Sequence, residues 1–313
     1  MSRALLKSPP SRPRAARSVP PRLDVLRRRV IGEGTFPSEI LTCRKKDGST
    51  FAVFQKTGGA HDEPVHGHKG GVGYELEVYR RVLRSVTLPL PKLLGGGHRG
   101  EKHWLQLEAL EGCYRTHVAA DPDAAMASAA RWIGQFHAQV SAPAAKRAFP
   151  KIIHYSRAYY MGWAQRTEEY SSTLRKRYPW LKELCRAFAG MADELRAAPQ
   201  CVIHGEYYPK NILWRDGTSF PVDWESAAIA PGEVDLASLA EGWSHQTERL
   251  CEQAYCEARW DDDPPPSFSR TLTLARIYQS LRWLGDRPEW TTANHMGWQF
   301  KRLRQTADSL ALL

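Results

Sequence analysis

Residues 201–239 decide the fold of this chain and read CVIHGEYYPKNILWRDGTSFPVDWESAAIAPGEVDLASL. Two short apolar runs, 201–203 and 220–222, predict buried strands, and polar residues follow each run. Around these runs lie a histidine, an amide and three carboxylates that suit a binding site: His204, Glu206, Asn211, Asp223 and Asp235. Hard oxygen ligands where strands end in loops suit a magnesium ion and phosphate chemistry. The segment therefore predicts a site for a divalent ion and a phosphate.

The composition is that of a globular protein. The chain has 313 residues, enough for two lobes with a core each, and 42% of them are apolar. Most of the 11 tryptophans follow residue 130, so we expect the aromatic core in the C-terminal half. No apolar run reaches about 18 residues, and we expect neither a transmembrane helix nor a secretory signal. Six scattered cysteines without a CxxC pair indicate reduced thiols in a cytoplasmic protein.

The net charge of +10 is concentrated at the amino end. Residues 1–29 contain nine basic residues and one acid, Asp24, so only +2 remains for the other 284 residues. This distribution argues against a nucleic-acid-binding body. Five prolines lie in the same segment, which predicts a disordered basic tail over residues 1–24. A solvated tail or an over-extended start explains it, and a membrane, RNA or targeting role is the alternative.

The region after the tail predicts antiparallel strands. Alternating residues in 39–43 and 50–54 flank a turn at 46–49, and Gly32 and Gly34 lie at the first bend. Glycines at a bend let backbone N–H groups approach phosphate oxygens, although a GxG pair is more often only a turn. Further strands are predicted at 92–94 and 103–107, with Gly95–Gly97 as the turn between them.

Lys56 ends the third predicted strand, and an acid follows on the next helix. The helix, residues 73–86, contains two candidates, Glu75 and Glu77. The intervening segment, 58–73, is rich in glycine and contains His61, His66 and His68. We expect a mobile loop over a nucleotide there rather than a metal site.

The C-terminal half predicts helices at 123–140, 156–177 and 180–197 ahead of the opening segment. His137 lies on the first of these helices, and we interpret it as a buried structural histidine. Between residues 240 and 263 the chain has a net charge of −5. Such a stretch would suit a cationic acceptor, but a solvated helix followed by an acidic loop explains the same charges.

The opening segment resembles the aminoglycoside phosphotransferase-like family. HGEYYPKN at 204–211 is similar to the catalytic loop HGDxxxxN of that family, and residues 222–239 are similar to its metal-binding segment. The resemblance covers roughly residues 28–310. It implies an α+β, bilobal protein-kinase-like fold, with a small antiparallel β-sheet and one helix in the N-lobe and a larger, mainly helical C-lobe. The lobes would span residues 25–110 for nucleotide binding and 111–313 for catalysis and acceptor binding.

The resemblance also implies roles for residues of the N-lobe. Lys56 would hold the α- and β-phosphates, and its ion-pair partner would be Glu75, which precedes Tyr79 by four residues as in similar sequences. Gly32 and Gly34 would lie over the phosphates. Residues 107–112 resemble the hinge of small-molecule kinases, whose backbone holds the adenine edge; the hinge residues named for this role are Glu108 and Leu110.

In the C-lobe the resemblance places the metal on Asn211 and Asp223. Glu225 would touch a second metal or be only an exposed acid. His204 and Asp235 would brace the catalytic loop. Glu206 stands where the family has aspartate, and it would take or orient the proton of the acceptor hydroxyl. Its extra methylene moves the carboxylate by roughly 1 Å, enough to change catalysis.

The sequence therefore predicts a Mg²⁺-dependent kinase that transfers the γ-phosphoryl group of ATP (or GTP) to a hydroxyl of a small molecule. An amino sugar, an antibiotic or another cationic metabolite would be the acceptor. We expect no nucleic acid or membrane partner, and a monomer or homodimer. The alternative function is a nucleotide-binding pseudokinase that regulates a partner. A protein kinase is disfavoured because no Asp-Phe-Gly to Ala-Pro-Glu segment is present.

Overall fold

The fold is taken from a computed structural model of the chain, which describes residues 23–32, 34–59 and 66–310. Most of the predicted basic tail, residues 1–22, and His61 of the predicted loop lie outside the described residues. Asp24, the last residue assigned to that tail, begins a strand. Among the described residues, no helix is long and apolar enough to span a membrane. All six cysteines are free thiols.

The N-lobe contains one five-stranded antiparallel sheet with the order β1-β2-β3-β5-β4. Its strands are β1 (Asp24–Ile31), β2 (Ser38–Arg44), β3 (Thr50–Gly58), β4 (Leu93–Arg99) and β5 (Lys102–Glu108). In this register Lys56 of β3 lies between Ser38 of β2 and Leu105 of β5. The central position of β3 therefore brings Lys56 into the interior of the lobe.

One helix, α1 (Gly71–Arg81), packs on this sheet. Its buried face contains Leu76 and Tyr79 together with Glu75. Leu76 lies against Gly96 of β4, where an added Cβ would lie 2.1 Å from a methyl carbon of Leu76. The predicted turn at Gly95–Gly97 is therefore wrong, because these glycines continue β4 and let α1 approach the sheet closely.

The C-lobe is mainly helical. Its helices are α2 (Pro122–Gln139), α3 (Ala142–Ala148), α4 (Arg157–Tyr170), α5 (Leu181–Ala197), α6 (Glu233–Leu239), α7 (His245–Trp260), α8 (Phe268–Leu284), α9 (Pro288–Thr291) and α10 (Gly297–Asp308). Helix α2 begins where Asp121 accepts the N–H of Ala124, with proline at the first helical position. Helix α4 ends before the predicted residue 177, since the Ser171 hydroxyl donates to the Thr167 carbonyl and a short 3₁₀ turn follows.

Six short strands form two small sheets in the C-lobe. They are β6 (Tyr114–Arg115), β7 (Ile153–His154), β8 (Gln200–Ile203), β9 (Ile212–Arg215), β10 (Thr218–Pro221) and β11 (Ala228–Pro231). Strand β8 pairs with β11, and β9 forms a hairpin with β10. The loops at 204–211 and 222–227 leave these sheets and present the polar residues of the opening segment.

The core lies mainly in the C-lobe and is aromatic, as the tryptophan distribution predicts. Its largest fully buried side chains include Trp163, Trp224 and Tyr155. The α+β arrangement with an antiparallel N-terminal sheet, one helix and a larger helical region confirms the predicted fold class.

The contact between α1 and β4 gives a stability prediction. Gly96→Ala should lower the free energy of unfolding by about 1–3 kcal/mol, because a buried leucine has to move. The matched control is Gly190→Ala in α5, where no atom lies within 4 Å of the added Cβ. That change should be neutral or stabilise the helix by up to about 1 kcal/mol. Urea unfolding measures both, and equal stabilities of the two variants would contradict the close packing of α1 on β4.

Candidate active site

An ion pair joins β3 to α1 at the interface of the lobes. Lys56 Nζ lies 2.9 Å from Glu75 Oε2, and both side chains are almost fully buried. The other oxygen of Glu75 accepts the backbone N–H of Trp224 at 3.1 Å. Glu77, the competing candidate, pairs instead with Arg80 and Arg81 on the helix surface. The structure therefore brings Lys56 together with Glu75 rather than with Glu77.

Lys56 also reaches two carboxylates of the C-lobe. Its ammonium lies 2.5 Å from Asp223 Oδ1 and 3.5 Å from Glu225 Oε2. Asp223 has φ 69°, a left-handed conformation that aspartate tolerates better than most residues, and it directly precedes the turn Trp224–Ser226. This backbone turn directs the Asp223 carboxylate toward Lys56. One ammonium thus contacts three acids from two segments, α1 and the loop at 222–227.

Three acids lie close together around Lys56, and these surroundings shift the pKa of Glu75 and of Lys56. Burial raises the pKa of Glu75 to about 7, with Asp223 and Glu225 adding to the effect of burial and Lys56 opposing it. Burial alone would lower the pKa of Lys56, but the three carboxylates raise it well above its usual value. The ammonium therefore stays charged, and the cluster has an excess of negative charge that a divalent ion would reduce.

One aspartate, Asp235, fixes the start of the loop at 204–211. Asp235 of α6 accepts the backbone N–H groups of His204 at 2.6 Å and Gly205 at 2.9 Å, as the sequence analysis proposed. Gly205 has φ 83°, and an added Cβ would lie 2.2 Å from the Ser226 carbonyl oxygen. Only glycine fits this turn, so the loops at 204–211 and 222–227 pack directly on each other.

His204 braces these two loops from the inside. Its Nε2 donates to the Val222 carbonyl at 2.9 Å, its ring packs on Trp224, and no part of the residue is exposed. A side chain so enclosed cannot contact a bound acceptor. The structure thus places His204 in a supporting position rather than at the reacting atoms.

His137 of α2 supports Asp235 in turn. Its Nε2 lies 3.2 Å from Asp235 Oδ2 and its Nδ1 lies 2.9 Å from the Tyr255 hydroxyl. Burial lowers the pKa of His137 to about 4, so the ring is neutral at pH 7. In that state Nε2–H donates to Asp235 while Nδ1 accepts from Tyr255. The buried structural position expected for His137 is what the structure shows.

Glu206 is enclosed by cations that the sequence analysis missed. Its Oε1 lies 2.5 Å from a guanidinium nitrogen of Arg282, and its Oε2 lies 2.9 Å from Lys69 Nζ. His68 Nε2 is 3.5 Å away. Burial would raise the pKa of Glu206, but His68, Arg282 and Lys69 together lower it well below its usual value.

The only feature of the sequence that pointed to Arg282, Lys69 and His68 is the glutamate at position 206, where the family has aspartate. Its longer side chain reaches Arg282 on α8, and no motif spacing links residue 206 to residue 282. Within the loop, the Asn211 side-chain amide donates to the Glu206 carbonyl at 3.0 Å, which fixes the loop from its other end.

His66 and His68 do not form a metal site. His66 Nε2 lies 3.0 Å from the Tyr159 carbonyl oxygen, and His68 Nδ1 lies 2.7 Å from the Tyr159 hydroxyl. This end of the segment predicted as a mobile loop packs against aromatic side chains of α4, with His68 buried and His66 half-buried. Across the part of the chain that the structure describes, no three His, Cys, Asp or Glu side chains could together hold a metal ion.

A cavity of about 540 Å³ lies between the lobes and ends at Lys56. Its apolar lining residues are Ile40, Ala52, Phe54, Leu107, Leu213 and Val222, and the predicted hinge residues Glu108 and Leu110 also line it. The N–H of Glu108 donates to the Lys92 carbonyl, so the backbone group that Glu108 can offer to a ligand is its carbonyl. Gly34 lines the cavity and Gly32 does not.

The residues predicted to bind metal also line this cavity. They are Asn211, Asp223 and Glu225. Glu225 is only 1% exposed and contacts Lys56 and Lys69, so the alternative of an exposed acid is wrong. The Asp223 side chain is 35% exposed. One accessible carboxylate beside one amide oxygen fits Mg²⁺, which takes its remaining ligands from phosphate oxygens and water.

Three acids of the stretch after residue 240 have partners inside the C-lobe. Glu248 lies 3.0 Å from Arg302, and Glu252 lies 2.5 Å from Arg276. Glu241 accepts hydrogen bonds from the Trp283 ring nitrogen and from Gln299. Glu248 and Glu252 join α7 to α10 and α8, and Glu241, which follows α6, contacts both of these helices, so these three acids do not favour a cationic acceptor.

The buried histidine beneath Asp235 gives a pH prediction. Unfolding raises the pKa of His137 from about 4 to about 6.5, so the unfolded chain binds more protons between these values and stability falls as the pH decreases through this range. His137→Gln removes this effect. The variant should have a lower free energy of unfolding than wild type at pH 7, and this difference should be about 2 kcal/mol smaller at pH 5. Urea unfolding at both pH values measures it. The raised pKa of Glu75 acts in the opposite direction but is common to both proteins.

The control for this prediction is His245→Gln, because the His245 side chain is 92% exposed and its surroundings change little on unfolding. Its difference from wild type should be the same at both pH values. A His137→Gln deficit that does not change with pH would contradict the assignment of a neutral, buried ring.

Comparisons with known proteins agree with this geometry. The model of a phosphotransferase enzyme family, APH, matches residues 64–267. A search of curated proteins finds no match. Macrolide 2'-phosphotransferase MphH from Brachybacterium faecium is 21% identical, with 90% of this chain and 94% of that chain covered and a TM-score of 0.58. Choline kinase from Cryptosporidium parvum Iowa II is 12% identical, with 92% and 91% covered and a TM-score of 0.59.

A third solved structure is the ternary complex of streptomycin, ATP and the aminoglycoside phosphotransferase APH(2")-IIa. It is 12% identical, with 91% of this chain and 92% of that chain covered and a TM-score of 0.53. At such identities these structures show a shared fold, the protein-kinase-like fold that the sequence predicted. The family match spans well over half of the 313 residues, and the chain therefore belongs to the APH phosphotransferase enzyme family.

Proposed function

We propose that the protein is a Mg²⁺-dependent kinase, located in the cytoplasm, that transfers the γ-phosphoryl group of ATP (or GTP) to a hydroxyl of a small molecule. The observation that carries the proposal is the position of Lys56. Its ammonium lies between Glu75 and Asp223 in the lining of a cavity that also has apolar side chains and the predicted hinge residues in its lining. A purine fits against the apolar side chains, and phosphates fit beside the ammonium.

Each polar residue of the site has a task in this proposal. Lys56 binds phosphate oxygens, and Glu75 keeps its ammonium in place. Asp223 and the side-chain oxygen of Asn211 hold the magnesium ion, which neutralises charge on the phosphates when bound. Asp235 and His204 keep the catalytic loop in register with Asp223. Glu225 orients Lys56 and Lys69 rather than facing solvent.

Glu206 orients the acceptor hydroxyl and takes little part in proton transfer. Arg282 and Lys69 occupy its carboxylate, and its lowered pKa makes it a weak base. A loose, metaphosphate-like transition state needs little help from a base, so orientation alone is an adequate role. Of the two roles that the sequence left open, the ion pairs favour this one.

The acceptor class follows from the family and from the solved relatives. Their names refer to a macrolide, choline and streptomycin, which are small molecules with hydroxyl groups. We extend that class to this chain, with an amino sugar or an antibiotic as the first acceptors to test. Because Glu248 and Glu252 of the acidic stretch after residue 240 are paired internally, neutral hydroxylated compounds belong in the same screen.

The test of the proposed function is a screen monitored by ³¹P NMR, in which purified protein, ATP and Mg²⁺ are mixed with hydroxylated amines, sugars and nucleosides. Wild type should form ADP and a phosphate ester with at least one acceptor. Asp223→Ala should slow this transfer by about 10³-fold, because the accessible carboxylate that holds the ion is lost. Asp308→Ala, a surface change on α10, should leave the rate unchanged.

An equal rate for Asp223→Ala and wild type would remove Asp223 from the site. A wild type that binds nucleotide and transfers phosphate to no acceptor, water included, would instead support the pseudokinase alternative.

The longer acid at position 206 gives a second prediction. Glu206→Asp restores the residue that the family has at this position, yet it should lower the rate of transfer by about 10²-fold, because the shorter side chain withdraws from Arg282 by roughly 1 Å. Nucleotide affinity should stay near that of wild type. Glu183→Asp, an exposed change on α5, controls for the loss of one methylene. A Glu206→Asp variant as active as wild type would mean that the contact with Arg282 does not determine the position of the carboxylate during transfer.

A further inference from the structure

Lys69 lies between Glu206, which we propose orients the acceptor, and Glu225, which is next to the proposed metal ligands. Its ammonium is 2.9 Å from Glu206 Oε2 and 3.2 Å from Glu225 Oε1. Glu225 in turn contacts Lys56 at the end of the nucleotide cavity. A phosphoryl group that leaves a nucleotide beside Lys56 and reaches a hydroxyl beside Glu206 must pass close to Lys69.

The backbone on both sides of Lys69 is fixed. On one side His68 is 1% exposed and is hydrogen-bonded to the hydroxyls of Tyr159 and Tyr155. On the other side the N–H of Gly70 donates to the Glu225 carbonyl at 2.8 Å, directly before α1 begins. The position of Lys69 is therefore set by packing, unlike that of a lysine on an open surface.

The two acids that Lys69 contacts already have other cationic partners. Arg282 pairs with Glu206, and Lys56 pairs with Glu225. The Arg282 side chain is 3% exposed, whereas that of Lys69 is 20% exposed. Lys69 is thus more accessible to a ligand than Arg282, the other cation beside Glu206.

We propose that Lys69 is a further catalytic residue, whose ammonium contacts the transferring phosphoryl group and stabilises the negative charge on its oxygens in the transition state. This inference rests on the proposed function. In the step, the acceptor oxygen forms a bond to the γ-phosphorus while the bond from that phosphorus to the bridging oxygen breaks. ADP leaves with the bonding electron pair, and the hydroxyl proton passes to water. Lys69 stays protonated throughout.

The physical reason is the position of the charge. Fixed cations that already point at the place where charge develops lower the barrier without reorganising during the reaction. Lys56 would contact the phosphates that stay on the nucleotide, and Lys69 would contact the phosphoryl group as it approaches the acceptor beside Glu206. The opposing interpretation is that Lys69 only fills the space of a ligand in the free protein, in which case its removal would help the reaction.

The test uses a transition-state analogue, so it needs no acceptor. ADP with Mg²⁺ is titrated into full-length protein by calorimetry with and without aluminium fluoride, and slow hydrolysis of ATP by water is measured in parallel. In Lys69→Met, the factor by which aluminium fluoride increases the affinity for ADP should be at least tenfold smaller than in wild type. The rate of ATP hydrolysis should fall by about 10²-fold. Affinity for ADP alone should stay within about threefold of wild type.

Two further variants make the result specific. Lys69→Arg keeps the positive charge and should retain most of the gain from aluminium fluoride. Lys151→Met removes an exposed lysine outside the site and should match wild type in every measurement. Thermal unfolding of each variant shows whether it is folded, and ethylammonium added to Lys69→Ala should restore part of the hydrolysis.

The outcomes separate the two proposals. If wild type gains affinity from aluminium fluoride and Lys69→Met gains as much, or hydrolyses ATP faster, the role of Lys69 is wrong and the proposed function stands. If wild type neither gains affinity nor hydrolyses ATP, the proposed function fails, and the role of Lys69 fails with it.

Discussion

The site depends on one buried ammonium that ties together both lobes. Lys56 comes from the N-terminal sheet, Glu75 from α1, and Asp223 from the loop after β10. Burying a charge is costly unless partners surround it, and here three acids do so. Moving any of these elements would leave a charge unpaired in the interior. The relative placement of β3, α1 and the loop at 222–227 is therefore fixed in the free protein.

A second set of contacts fixes the catalytic loop independently of the nucleotide. Asp235 accepts two backbone N–H groups from the loop and is itself supported by His137, while His204 joins the loop to Val222. The backbone that carries Glu206 is thus fixed by Asp235, and the backbone next to Asp223 is fixed by His204. Preorganisation of this kind is what positions reacting groups without a cost at the moment of reaction.

Sequence reasoning predicted the parts of the fold and site that depend on local pattern. The antiparallel strands, α1, the Lys56–Glu75 pair and the Asp235 support follow from spacing and from motif resemblance. It could not find Lys69 or Arg282, because their contacts with Glu206 join segments far apart in the chain. The glycines of β4 were assigned to a turn because the pattern of a strand does not show a helix packed on it.

The hydrogen bonds around the start of α1 have a consequence for regulation. The Tyr74 hydroxyl donates to the Ala227 carbonyl and accepts the N–H of Ile153, and Glu75 accepts the N–H of Trp224. An outward swing of α1, the movement by which a kinase-like fold can be switched off, would break all of these bonds and expose the Lys56 charge. Any switch that moves α1 would therefore have to replace all of these contacts at once.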